Sequence, residues 1–356
     1  MFKIITDFGG ANIRINDISE NVVHIEQEIR DTGEWWFWWN FKVSVDRVET
    51  IRFCFDNGAV VHPKGPCVRY DGEEFYYATD SRVNASEFLF TFDKAGVWQF
   101  SFAIPYQTDD WHRFVNSRPY SLTTKIAGIS EHGRPIELVD ANAQNEQIIV
   151  VACRHHACES VAAFSMEGLL DYLMTSPFMQ KYRIIVMPFV DIDGVEQGDQ
   201  GKSRLPHDHN RDYIDDSIYR SVKILKEIAD TGRVVCLFDL HCPAAWGGSH
   251  DHLSLIGLPA PYDSAQRVFS DILQRTTERE GCPIVYKSEN DILFGQSWNK
   301  GEQSKNCSTY FAKRGALLSF TFEHPFIGDM SKPYSPDDLR AFGKCFGKAV
   351  QTFLSK

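Results

Sequence analysis

An α/β fold is predicted for the larger part of this chain: a mostly parallel or mixed central sheet with helices on both faces, preceded by a small antiparallel β-sandwich. Three observations predict it. From residue 111 to residue 356, apolar β-branched runs alternate with amphipathic stretches, the pattern of strands joined by covering helices. Before residue 110, short runs rich in Val, Ile, Phe, Tyr and Trp are separated by turn signals instead, as in stacked antiparallel sheets. The length of 356 residues suffices for two domains with cores of their own, divided as 1–110 and 111–356.

In the first region, Asp31-Thr32-Gly33, Asp56-Asn57-Gly58, Asp71-Gly72 and Lys94-Ala95-Gly96 mark the turns. Residues 35–43, from Trp35 to Val43, are too aromatic for a solvent face. They are expected to fill the space between the sheets and the joint with the second region. After Pro105-Tyr106, strands are expected at 147–153, 183–188, 234–239, 253–256 and 316–322. Helices are expected at 160–174, 218–229, 264–279 and 336–354. The first of them shows Val161, Phe164, Leu169, Tyr172 and Leu173 at helical spacing. Ligands of such sheets gather beyond the carboxyl ends of the strands.

Composition narrows the function. A content of 43% apolar and 24% charged residues is that of an ordinary globular protein. The net charge of −11 argues against nucleic acid, which demands a basic face, and against an anionic membrane surface. No apolar run approaches the roughly 18 residues of a membrane span, and residues 1–7 lack a secretory h-region. Nine cysteines, an odd number without framework spacing, read as reduced thiols in a cytoplasmic protein. Oligomeric state leaves no signal.

Three stretches carry the chemistry: Arg154-His155-His156-Ala157-Cys158-Glu159, Phe238-Asp239-Leu240-His241, and Phe320-Thr321-Phe322-Glu323-His324. Each follows an apolar run of strand type. Two imidazoles and a carboxylate would leave one corner of a zinc tetrahedron open, as a catalytic site requires and a structural one does not. A further carboxylate beside that corner could take a proton from water. His155 competes with His156 as ligand, and Asp239, on the same strand face as His241, could orient its imidazole. A fourth stretch, 201–213, holds Lys202, Arg204, Asn210 and Arg211. Arg beside Asn suits the grip of a carboxylate, and a second cation could meet an oxyanion. His207, Asp208 and His209 could hold a second metal, but more plausibly order the loop.

Taken in order, these stretches resemble the zinc carboxypeptidase family, and most closely its cytosolic carboxypeptidase-like branch. The matching residues run through His156-Ala157-Cys158-Glu159-Ser160, Met166–Leu173, Pro188 with Asp191–Val195, Asp208-His209-Asn210-Arg211, Asp239-Leu240-His241 and Thr321-Phe322-Glu323. Trp35–Val43 and Phe102–Tyr106 resemble the branch's amino-terminal sandwich and its joint. The resemblance implies a single Zn2+ bound by His156, Glu159 and His241, and Glu323 as general base and later proton donor. It implies that Asn210 and Arg211 hold the terminal carboxylate of a peptide or protein substrate. The family's oxyanion arginine falls on Gly201, with Lys202 and Arg204 nearby, and Arg204 is expected to serve. Tyr310 is expected to contact substrate near the position where deglutamylating members carry a basic residue, which argues against tubulin-type deglutamylation. The expectation is a zinc metallocarboxypeptidase; the alternative is a zinc-dependent deacylase of N-acyl amino acids or an amidase on peptidoglycan-derived peptides.

Overall fold

A computed structural model describes residues 1–120, 122–301, 305–329 and 332–356. Its largest sheet has seven strands, ordered Thr124–Ile129, Pro135–Ala141, Arg183–Met187, Ile148–Cys153, Val234–His241, Leu318–Glu323 and Ser254–Ile256. The four strands from Arg183–Met187 to Leu318–Glu323 are parallel, and the edges are antiparallel. Strand Ile148–Cys153 is buried along its whole length, which is why it reads as a continuous apolar run rather than an alternation. Register aligns the strand ends. Cys153 lies beside Leu240, and His241 beside Glu323, so the turn after Cys153 emerges next to both.

Helices Ala162–Thr175, Asp263–Arg279 and Pro336–Leu354 pack together, and Arg220–Asp230 packs with Cys307–Lys313. The crossing of Ala162–Thr175 with Pro336–Leu354 is unusually close. A Cβ on Gly343 would stand 2.0 Å from the Ser165 carbonyl oxygen, and one on Gly168 would stand 1.9 Å from that of Arg340.

Residues 2–101 form two five-stranded sheets. All but one of their strand pairs are antiparallel. The exception is Val22–Glu26 beside Glu49–Phe55, which run parallel. The chain leaves Val22–Glu26, crosses to build Asn40–Val45 in the other sheet, and returns in the same direction. Phe37, Trp38, Trp39 and Phe41 are buried. Trp39 packs on Phe55 and Phe88, and Phe37 on Phe102 and Phe326, so the aromatic run fills both core and joint. Trp35 departs from that expectation at 47% exposed.

Candidate metal centre

The site begins with a backbone reversal. Arg154, the first residue after strand Ile148–Cys153, takes φ +61°, a conformation disfavoured for a residue with a Cβ. Its buried guanidinium donates to the carbonyl oxygens of Ala157 and Tyr106, which locks the turn that presents His156 and Glu159. Three donor groups then meet. His156 Nδ1 lies 2.8 Å from Glu159 Oε1, His241 Nδ1 lies 2.7 Å from Glu159 Oε2, and the two Nδ1 atoms are 3.2 Å apart. Bonds of roughly 2.0–2.2 Å around a tetrahedral zinc require donor separations of about 3.4 Å. The three groups therefore fit one ion if these separations open by about 0.2–0.7 Å, and two imidazoles with a carboxylate are donors zinc favours.

Partners behind the donors fix their orientation. Asp239 Oδ2 stands 3.0 Å from His241 Nε2, so that a proton on Nε2 leaves Nδ1 free to coordinate. Burial works against a charged His241, but Asp239 and Glu159 outweigh it and hold its pKa well above the ordinary value. Burial likewise opposes ionised Glu159, and His156, Lys202 and His241 override it, keeping the carboxyl well below its usual range. His155 turns the other way: Nδ1 contacts Asp239 Oδ1 at 2.7 Å and Nε2 meets the Tyr213 hydroxyl at 2.8 Å. It sits beneath the donor set, not in it.

These donors open into a cavity of about 450 Å³ lined also by Glu323, Lys202, Asn210, Arg211, Trp36 and Thr321. Glu323 is 4% exposed, and its Oε2 has no hydrogen-bond partner among the described residues. Burial, ahead of the opposing pull of His241, pushes its carboxyl up to about 7. Lys202 Nζ reaches Glu159 Oε1 at 3.2 Å and His156 Nδ1 at 3.3 Å. Burial disfavours that ammonium, but Glu159 and Glu323 hold its pKa above normal. Arg211 lines the cavity and makes no ion pair within 4.0 Å among the described residues, its Nη1 donating only to the Asn210 carbonyl. The Asn210 side chain, expected to hold substrate, is already engaged, with Nδ2 donating to Asp239 Oδ2 at 3.3 Å and Oδ1 accepting the Cys307 N–H.

Two expectations need correction. Arg204 does not serve the cavity, because its guanidinium is held by Asp31, Asp191 and Asp199 at 2.5, 3.0 and 3.0 Å. Tyr310 is also elsewhere: it is 7% exposed, its hydroxyl donates to Asp230, and Arg314 covers its ring. The side chains of the 207–209 run turn to separate partners. His207 pairs with Asp212, Asp208 lies 3.5 Å from His156 Nε2, and His209 stacks on Tyr219. Sequence reading overlooked Trp36, His250, Trp298, Lys300 and Lys305 as cavity residues. Apart from His250, in the short 3-10 helix Gly248–Asp251, they sit on loops whose course no local pattern reveals.

A central parallel sheet with this donor set at its strand ends is similar to the architecture of zinc carboxypeptidases, and part of the chain matches the model of that family. The zinc carboxypeptidase family model matches residues 108–224, a span that holds His156, Glu159, Lys202 and Arg211 and stops short of His241 and Glu323. Among particular relatives, an uncharacterized protein of Zymomonas mobilis is 22% identical over 95% of this chain and 92% of its own length. Cytosolic carboxypeptidase 6 of Caenorhabditis elegans is 26% identical over 49% of this chain, which spans only 43% of that protein. The fold matches a metallo-carboxypeptidase from Burkholderia cenocepacia (TM-score 0.81, 16% identity, 100% of this chain and 99% of the other). It also matches a metallo-carboxypeptidase from Pseudomonas aeruginosa solved with (2-guanidinoethylmercapto)succinic acid (TM-score 0.82, 18% identity, 99% of each chain).

Proposed function

We propose that this chain is a zinc metallocarboxypeptidase that hydrolyses the last peptide bond of a peptide or protein. The observation that carries the reading is the meeting of His156, Glu159 and His241 at a cavity that also presents Glu323, Lys202 and Arg211. Zinc bound there would polarise the scissile carbonyl and lower the pKa of the attacking water toward neutrality. Glu323, whose Oε2 is buried with no hydrogen-bond partner among the described residues, takes the proton of that water and returns it to the leaving amine. Lys202 supplies positive charge where the carbonyl oxygen becomes an oxyanion. Arg211, which makes no ion pair among the described residues, presents its guanidinium to the substrate's terminal carboxylate, while Asn210 steadies Asp239 behind His241.

Lys300 and Lys305 add to the positive lining, which suits an acidic last side chain. With Tyr310 outside the cavity, the objection to acidic substrates drawn from that residue lapses. The same reading places the division between the sandwich and the catalytic region near residue 110. It also places the protein in a reducing cytoplasm, consistent with nine free cysteines. Among the described residues no helix is long and apolar enough to cross a membrane.

The test is a set of peptides differing only in the last residue (Glu, Leu or Lys), each with a free or amidated end, together with N-acyl amino acids. Release of the last residue from free-ended peptides, fastest for Glu and abolished by a chelator, is expected. Equal cleavage of amidated peptides, or a preference for N-acyl amino acids, would contradict the reading and favour the deacylase.

A further inference from the structure

We propose that the amino-terminal sandwich is a working part of the site: it positions the loop that delivers Lys202, with Gln200 and Arg204 as the positioning residues. The inference rests on the role given to Lys202 above. Lysine is a point charge on a flexible four-carbon stem, so one place for the ammonium demands a backbone fixed on both sides.

On the amino-terminal side the anchor is Gln200, which is fully buried. Its Nε2 donates to the carbonyl oxygens of Trp38 and Glu28 at 2.9 and 3.1 Å, and its Oε1 accepts the Trp38 N–H at 2.8 Å. Its own carbonyl accepts the Cys158 N–H at 3.1 Å, inside the turn that carries His156 and Glu159. One residue thus joins the sandwich, the Lys202 loop and the metal-ligand turn. Gly201 follows at φ +71°, where a Cβ would stand 2.2 Å from the Ala157 nitrogen, so the loop lies flush on that turn.

On the other side of Lys202, Gly33 N–H donates to the Ser203 carbonyl at 2.8 Å and Leu205 N–H to that of Asp31 at 2.9 Å. Arg204, 7% exposed, is shared between Asp31 of the sandwich and Asp191 and Asp199 of the larger region. Arg30 closes the network on Asp199 at 2.6 Å. A guanidinium buried among three carboxylates cannot shift without leaving charge uncompensated. Between the two anchors, Trp36 lines the cavity with Lys202 Nζ 5.8 Å from its ring centre. Misplacing a reacting charge by about 1 Å costs up to about a hundredfold in rate. The sandwich therefore sets kcat through Lys202, although it donates no metal ligand.

The experiment is a double-mutant cycle on the full-length, zinc-loaded protein: Gln200→Met and Asp31→Asn, each alone and combined with Lys202→Met. Each single anchor variant is expected to lower kcat about tenfold, with KM and zinc content held within about twofold, and Asp31→Glu to restore most of the rate. Neither anchor variant should lower kcat further once Lys202 is replaced. Effects that multiply in the Lys202→Met background, or an Asp31→Asn protein with full kcat, overturn the positioning role and leave the site reading intact. A Lys202→Met protein with full kcat overturns both. Should Gln200→Met not fold, Asp31, whose side chain is 40% exposed, carries the cycle alone.

Discussion

A single carboxyl group bears the proton chemistry of this account. Glu323→Gln is expected to keep its metal and to lose at least about a hundredfold in kcat, the contribution of a positioned base; near-normal turnover would remove Glu323 from that role. Its pH signature follows from burial. Because the carboxyl is pushed up to about 7 and works only when ionised, kcat/KM should climb as pH rises through its pKa. A bound cation lowers that midpoint from about 7. A profile that shows no rise with pH anywhere up to about 7 would contradict the assignment. At this scale the sequence was informative wherever a residue ends an apolar strand, as His241 and Glu323 do. It was silent where role depends on partners from afar. Arg204 looked like Lys202 on paper, and only the convergence of Asp31, Asp191 and Asp199 takes it out of the cavity.

At the scale of elements, strands and helices do two jobs: they bring three chain segments to one edge of the sheet, and they hold that edge rigid. The helix crossing at Gly168 and Gly343 supports the sheet from behind. Gly343→Ala would press a methyl group to 2.0 Å from the Ser165 carbonyl oxygen, and overpacking of this kind costs roughly 1–3 kcal/mol. The expected outcome is a lower urea midpoint with unchanged zinc content; an undiminished midpoint would show that the crossing relaxes freely. The long elements were legible because their periodicity is strong: the expected 336–354 helix matches Pro336–Leu354, and the expected 160–174 helix matches Ala162–Thr175 within two residues. The edge strands Thr124–Ile129 and Pro135–Ala141 and the short helix Cys307–Lys313 were not anticipated. Half-exposed edges and a seven-residue helix leave too little periodicity to stand out.

At the scale of the whole molecule, a chain of net charge −11 concentrates positive groups in one cavity: Lys202, Arg211, Lys300 and Lys305. The bulk charge that argued against nucleic acid therefore says nothing about substrate charge, because the cavity's field is local. Metal binding should be visible globally as well. Zinc that binds only the folded chain stabilises it by about 2.7 kcal/mol at a hundredfold excess over its Kd, so Tm should rise with zinc for the wild-type protein and stay fixed for His241→Ala. The parallel architecture was readable from alternating texture; the docking of the sandwich on the Lys202 loop was not, since it is made largely by backbone groups.

Metal analysis of the purified wild-type protein beside His241→Ala is the most direct measurement. One zinc per chain in the first, and less than about a tenth of that in the second, is what a three-donor site predicts. A His241→Ala protein that still holds one zinc per chain would contradict it.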